Sequence, residues 1–256
     1  MNKYNTEKIL SIHHWNDKLF SFTCTRNKSF KFINGEFTLV GLLINDKYIT
    51  RAYSLVSSNY DIFLEFLSIK INKGLLTSNL KKISLNDNIL ISKKSTGTLI
   101  INNLLPNGKI LWLISSGTGL APFISIIKDY NIYNIFDKII LLHSVKYSDS
   151  LSYRYYINNI LSKKFNLFNY SNKLIYYPIL TRENFFNKNR ITFNINNYKI
   201  FDNLNLTPFN IKRDRIMLCG SISMINDIVN ILYSYNFIES KINKLGHFLI
   251  ERSFVD

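Results

Sequence analysis

Ile110-Leu111-Trp112-Leu113-Ile114-Ser115-Ser116-Gly117-Thr118-Gly119-Leu120-Ala121-Pro122 decides the fold of this chain. An unbroken apolar run of this length suits a strand buried on both faces. The glycines then turn the chain, and Pro122 suits the first turn of a helix, where its missing N–H costs nothing. Strand, glycine turn and helix in that order are the setting a dinucleotide-binding turn requires. Gly117 and Gly119 allow the backbone to approach a pyrophosphate closely, and N–H groups at a helix start complement an anion. On these residues alone, phosphate binding and an ordinary tight turn both stay open. The stretch 110–127 carries no charge, close to the ~20 residues that cross a bilayer. Its polar, helix-breaking centre favours the strand and turn instead.

Downstream the alternation continues. Apolar strands are expected at 138–143, 173–180 and 215–219, with helices at 122–128 and 151–164, which implies a doubly wound parallel sheet. Upstream the rhythm differs. The runs 35–44, 50–57, 62–71 and 88–92 are β-branched or aromatic and bounded by Asn, Asp and Gly, as in a small antiparallel barrel or sandwich. The change falls near 102–109, where Asn-Asn and Pro-Asn-Gly interrupt the pattern. The chain therefore divides into a β-barrel domain, 1–103, and an α/β domain, 104–256. The segment 184–212 fits neither pattern.

Composition sets the outer bounds. Of 256 residues, 46% are hydrophobic and 19% charged, enough apolar side chains for a core and too few charges for global disorder. Cys24 and Cys219 are too few for a disulfide scaffold or a four-thiolate metal site, so no metal is expected and a reducing, cytoplasmic setting is. The first ten residues hold no signal-peptide core. The net charge is +15, which admits either nucleic acid or an acidic protein partner. Lys, Asn, Ile, Phe and Tyr are abundant throughout, so the charge by itself reflects composition as much as function.

Two further clusters carry chemistry. An acidic residue about 20 positions after the glycines often holds a ribose 2′-hydroxyl in NAD-binding sheets. Here that strand ends in His143-Ser144-Val145-Lys146, and the next in Thr181-Arg182, with Arg190 beyond. Hydroxyl and basic groups at strand ends suit a 2′-phosphate, although ordinary surface cations would look the same. In the first domain, Arg51-Ala52-Tyr53-Ser54 lies on a strand, so Arg51 and Tyr53 share a face. A guanidinium for a pyrophosphate and a ring for a flavin plane belong together chemically. Gly74 can turn the chain, and Thr77 and Ser78 are placed to cap a following helix.

Taken in order, Arg-Ala-Tyr-Ser, Glu65-Phe66-x-Ser68-Ile69-Lys70, Gly74-x-Leu-Thr77-Ser78, Gly117-Thr118-Gly119-x-Ala-Pro and Cys219-Gly220-Ser221 resemble the bacterial ferredoxin/flavodoxin–NADP⁺ reductases. The likeness runs from His13-His14-Trp15 to the tail Glu251-Arg252-Ser253-Phe254. It implies an antiparallel FAD-binding barrel followed by an NADP(H)-binding α/β domain. It also implies hydride transfer from NADPH to flavin N5, then single-electron steps to a ferredoxin or flavodoxin.

By that resemblance FAD would be held by Arg51, Ala52, Tyr53 and Ser54, by Ser68, Ile69 and Lys70, by Gly74, Thr77 and Ser78, and by Thr118 and Phe254. NADP would be held by Gly117, Gly119, Ser144, Lys146, Thr181, Arg182, Arg190, Gly220 and Ser221. Ser54, Cys219 and Glu251 would stand at the reacting centre, although on sequence alone Glu251 reads as a solvated charge. Two residues depart from the family pattern: Lys146 stands where many relatives carry Arg, and Ser253 where Ala is common. The family's usual form is a monomer that docks acidic carriers transiently, away from membranes and nucleic acid. The alternatives are a basic nucleic-acid-binding protein, a non-enzymatic relic, or the reductase component of another oxidoreductase. Two distant cysteines leave no iron–sulfur domain for the last of these.

Overall fold

The computed structural model describes residues 3–71, 74–161, 163, 170 and 172–252. They form two compact units.

The first unit comprises residues 3–100 with the segment 121–129. Its strands are β1 (Tyr4–His14), β2 (Leu19–Thr25), β3 (Phe37–Ile44), β4 (Lys47–Ser54), β5 (Phe63–Ile69) and β6 (Asn88–Thr96). All pairings are antiparallel, in the order β4-β3-β6-β1-β2-β5. Just past β4, Leu55 bridges Phe66 of β5, and the Val56 amide donates to the Glu65 carbonyl at 2.9 Å. The two outer strands thus meet, and the sheet curls around Phe20, Phe22, Cys24, Val40, Leu64, Phe66 and Ile89. The sequence places β3 to β6; β1 and β2 come from the structure.

Strand β1 hides its alternation. Its register against β2 shifts between Ile9 and Ser11, and a bulge of this kind turns the following residues over. Glu7 and Ile9 are buried before the shift, whereas Ile12 packs on the core after it. Glu7 is tolerated inside because Thr25 Oγ1 and the Asn27 amide both donate to its carboxylate. Two helices complete the unit, α1 (Thr77–Leu80) and α2 (Ala121–Ile127). From α2, Ser125 Oγ donates to the Ser57 carbonyl at 2.7 Å. Directly after it, Lys128 Nζ lies 3.5 Å from Glu65 and 3.7 Å from Asp61.

The second unit comprises residues 101–120 and 130–252. Its sheet is parallel, with β7 (Ile110–Ser116), β8 (Lys138–Val145), β9 (Leu174–Leu180), β10 (Asp214–Gly220) and β11 (Phe248–Arg252) in the order β11-β10-β7-β8-β9. Helices α3 (Ile132–Ile135), α4 (Ile191–Asn196), α5 (Lys199–Asn203) and α6 (Ile222–Ser234) accompany it. Trp112, Ile114, Ile140, Leu142, Ile216 and Leu218 form one core with Ile191, Ile195, Phe201, Ile225 and Ile228 of α4 to α6. The alternate residues Leu111, Leu113, Leu141 and His143 project from the opposite face by the strand period and are equally buried. The doubly wound class expected from the sequence is the one observed.

Strand β11 and helix α6 lie outside the expected elements, and 184–212 resolves into the short helices α4 and α5. Left-handed Tyr198, at φ 59°, breaks the helix between them. The expected helix at 151–164 is seen in part, as a π-helical turn at Tyr156–Leu161; residues 162 and 164 lie outside the described residues.

Candidate functional site

From β7 the chain winds through β8 and β9 on one side, then returns to place β10 and β11 on the other. The carboxyl ends of β7 and β10 therefore flank the point where strand order reverses, the usual ligand crevice of open parallel sheets. Two turns occupy it. The Gly117–Leu120 turn follows β7, and Ser221 follows β10, capping α6 by accepting a bond from the Met224 amide. Ser116 Oγ joins the turns by accepting from the Ser221 amide at 3.0 Å.

The glycines here differ in purpose. A Cβ on Gly119 would lie 2.3 Å from the Cys219 carbonyl oxygen, and one on Gly220 would lie 2.2 Å from Ser116 Oγ. Those two glycines are small because the two turns pack backbone to backbone. Gly117 has φ 55° and nothing within 4 Å of a Cβ, so the space beside it is open. Cys219 pairs in register with Ser115 on one side and Glu251 on the other. Burial first, and then the Glu251 carboxylate, push the Cys219 thiol well above its ordinary range. It is a neutral thiol, suited to packing and not to nucleophilic attack. Glu251 is buried at 8% exposure, which corrects its reading as a solvated charge.

On the other side of β7, β8 and β9 end together. The Thr181 amide donates to the Val145 carbonyl and the Arg182 amide to the Lys146 carbonyl, both at 3.0 Å. Two exposed cations thus sit on adjacent backbone positions, next to the Thr181 hydroxyl and to Ser144. Glu183 clamps the neighbouring loop, accepting from the Ser148 amide and hydroxyl at 2.7 and 2.9 Å. Arg190, also exposed, holds the cap position of α4 farther along. The structure brings Gly117, Thr118, Gly119, Ser144, Lys146, Thr181, Arg182, Cys219, Gly220, Ser221 and Glu251 to one edge of one sheet.

In the first unit, Arg51, Ala52, Tyr53 and Ser54 close β4 and are all half-buried. Tyr53 meets Phe66 edge-on at 6.4 Å, and its hydroxyl lies 3.1 Å from Ser68 Oγ. The Tyr53 side chain thereby links β4 to the end of β5, where Ile69 and Lys70 follow. The Lys70 amide and ammonium donate to the Lys18 and Asn16 carbonyls. A Cβ on Gly74 would meet Thr77 Oγ1 at 2.3 Å. The capping expectation for Thr77 and Ser78 is corrected: Leu76 holds the cap position, and Thr77 Oγ1 donates to the Ile71 carbonyl at 3.5 Å. Phe254 and Ser253 lie outside the described residues.

Sequence reasoning passes over three residues that build this site: Ser116, Glu183 and His143. The last is wholly buried on β8. Its Nε2 is 3.3 Å from the Gly117 carbonyl and its Nδ1 is 3.1 Å from the Tyr176 hydroxyl. A lone histidine inside an apolar strand was the available signal.

Residues 113–230 match the oxidoreductase NAD-binding domain family. Over its full length the chain is 43% identical to a ferredoxin–NADP reductase of Azotobacter vinelandii, which it covers completely. It is 39% identical to a flavodoxin/ferredoxin–NADP reductase of Rhodobacter capsulatus, over 98% of this chain and 93% of that one. A crystal structure of a ferredoxin NADP⁺ reductase from Neisseria gonorrhoeae with bound FAD and NADP superposes with a TM-score of 0.88 at 28% identity. That match covers 99% of this chain and all of the other. With the strand-end residues in these places and likeness across the whole length, the chain belongs to the ferredoxin–NADP⁺ reductase family.

Proposed function

We propose that this chain carries electrons between NADPH and ferredoxin or flavodoxin, with FAD as its cofactor. The observation that carries the reading is the crowding of the glycine turn, the Cys219–Ser221 turn and the paired Lys146 and Arg182 onto one sheet edge. Open space beside Gly117 admits a pyrophosphate, and the cations with the Thr181 hydroxyl suit a 2′-phosphate better than a ribose hydroxyl. Arg190 completes that set.

The first unit fits a flavin nucleotide. Arg51 supplies a guanidinium for the pyrophosphate, and Tyr53 a ring tethered through Ser68. Ser54 supplies a hydroxyl at the strand end, and Gly74 a close backbone turn beside Thr77 and Ser78. Ala52, Ile69 and Lys70 line the cofactor in this reading. When bound, the flavin supplies the conversion between paired and single electrons that nicotinamide chemistry lacks. The chain's own residues orient the reactants: Cys219, as a neutral thiol, offers a packing surface for the nicotinamide, and buried Glu251 beside it holds or passes a proton. Residues 1–103 supply the flavin domain and 104–256 the NADP(H) domain, apart from 121–129, which packs with the first unit. A monomer docks the carrier transiently, drawn by the chain's net charge of +15.

The visible spectrum under anaerobic titration with NADPH and NADH in parallel tests this. A flavin spectrum bleached by NADPH at far lower concentration than NADH is the expected result. Equal response to both discards the 2′-phosphate set, and a colourless protein that takes up no FAD overturns the flavoenzyme reading.

A further inference from the structure

We infer that His143 is a positioning residue of the nucleotide site, a neutral imidazole that fixes the direction of the Gly117–Thr118 peptide. The inference rests on the proposal that this sheet edge binds NADPH.

Three observations carry it. First, the hydrogen-bond partners dictate the tautomer. The Gly117 carbonyl can only accept, so His143 Nε2 must carry the proton; Nδ1 is then an acceptor, and the Tyr176 hydroxyl must donate to it. The order is Tyr176 O–H to Nδ1, then Nε2–H to Gly117 O. Second, the environment keeps the ring in that form. His143 is wholly buried on β8 with Tyr176 on the neighbouring β9. Burial lowers its pKa to about 4, a shift the Gly117 bond opposes in part. Burial likewise raises the Tyr176 phenol, against the pull of the Arg154 guanidinium, so the phenol keeps the proton it donates.

Third, the pinned peptide opens the Gly117–Leu120 turn, so its direction decides what that turn presents to an anion. Gly117 stands at φ 55° with nothing near a Cβ position, so neither side-chain sterics nor packing at that carbon fixes the peptide that follows. Peptide planarity makes the Gly117 C=O and the Thr118 N–H point in opposite directions. With the carbonyl drawn toward buried His143, the Thr118 amide is turned away from it, outward, where a nucleotide approaches. A flipped peptide would present a carbonyl oxygen to an anion instead.

The test uses the FAD-loaded protein. ¹⁵N chemical shifts of the His143 ring should report an Nε2–H tautomer at neutral pH. NADP⁺ affinity, measured by calorimetry, should weaken at least about tenfold in His143→Leu, which removes the donor. It should stay within about threefold in His143→Gln, which retains one, and kcat should fall less than KM rises in His143→Leu. Tyr176→Phe, which removes the tautomer lock and leaves the core intact, should weaken affinity to an intermediate degree and stands in if His143→Leu fails to fold. An Nδ1–H tautomer, or wild-type affinity in His143→Leu or in Tyr176→Phe, overturns the role of His143. If the unsubstituted protein binds no NADP⁺, the nucleotide reading falls and this role falls with it.

Discussion

Lys146 and Arg182 stand one backbone hydrogen bond apart, yet they recognise phosphate differently. Arginine grips with a planar fork, and lysine acts as a point charge. Arg182→Ala should raise KM for NADPH by about ten- to a hundredfold while leaving KM for NADH nearly unchanged, in steady-state assays of both. Lys146→Arg should tighten NADPH by about threefold, because a fork replaces the point charge. His143 makes a separate prediction in acid. Its folded pKa, about 4, lies below the 6.5 of a free imidazole. The unfolded chain therefore binds more protons between these values, and folding stability rises with pH across that window. The full difference is about 3 kcal/mol. Denaturant titrations from pH 4 to 7 should show that slope, and His143→Gln should flatten it. Tyr176, the titratable group bonded to the ring, stays neutral throughout the window because burial raises its phenol.

At the scale of elements, the glycine turn predicts a contrast. Gly119→Ala would drive a methyl group into the Cys219 carbonyl, so it should cost about 2–4 kcal/mol in chemical denaturation. Gly117→Ala meets open space and should cost only the left-handed backbone strain, about 1 kcal/mol. The elements also differ in how readily they were read. Strands β7 to β10 were legible because parallel strands covered on both faces are continuous apolar runs. β1 was not, because a bulge inverts its alternation and a buried Glu7 occupies a core position. α4 and α5, at six and five residues, are too short to show a helical period. The glycine turn and the cations after β8 and β9 were visible as motifs. Ser116, Glu183 and His143 stand within or beside those motifs, but their roles were not legible, because each acts through a partner distant in sequence.

For the molecule as a whole, the net charge of +15 concerns encounter more than fold. Reduction of an acidic carrier should slow several-fold as ionic strength rises from about 0.05 to about 0.5 M, since screening shortens the reach of attraction. Stopped-flow rates with ferredoxin would measure this, and the NADPH half-reaction should respond less. The first unit is also assembled from two separate stretches of chain, 3–100 and 121–129. A polypeptide cut after residue 100 would retain all six antiparallel strands. It would lose the hydroxyl that reaches Ser57 and the ammonium beside Asp61 and Glu65. Such a half is a poor candidate for independent expression. A gene fragment of the first hundred codons would encode this unit without its second stretch. Re-engineering of the first unit has to carry both stretches.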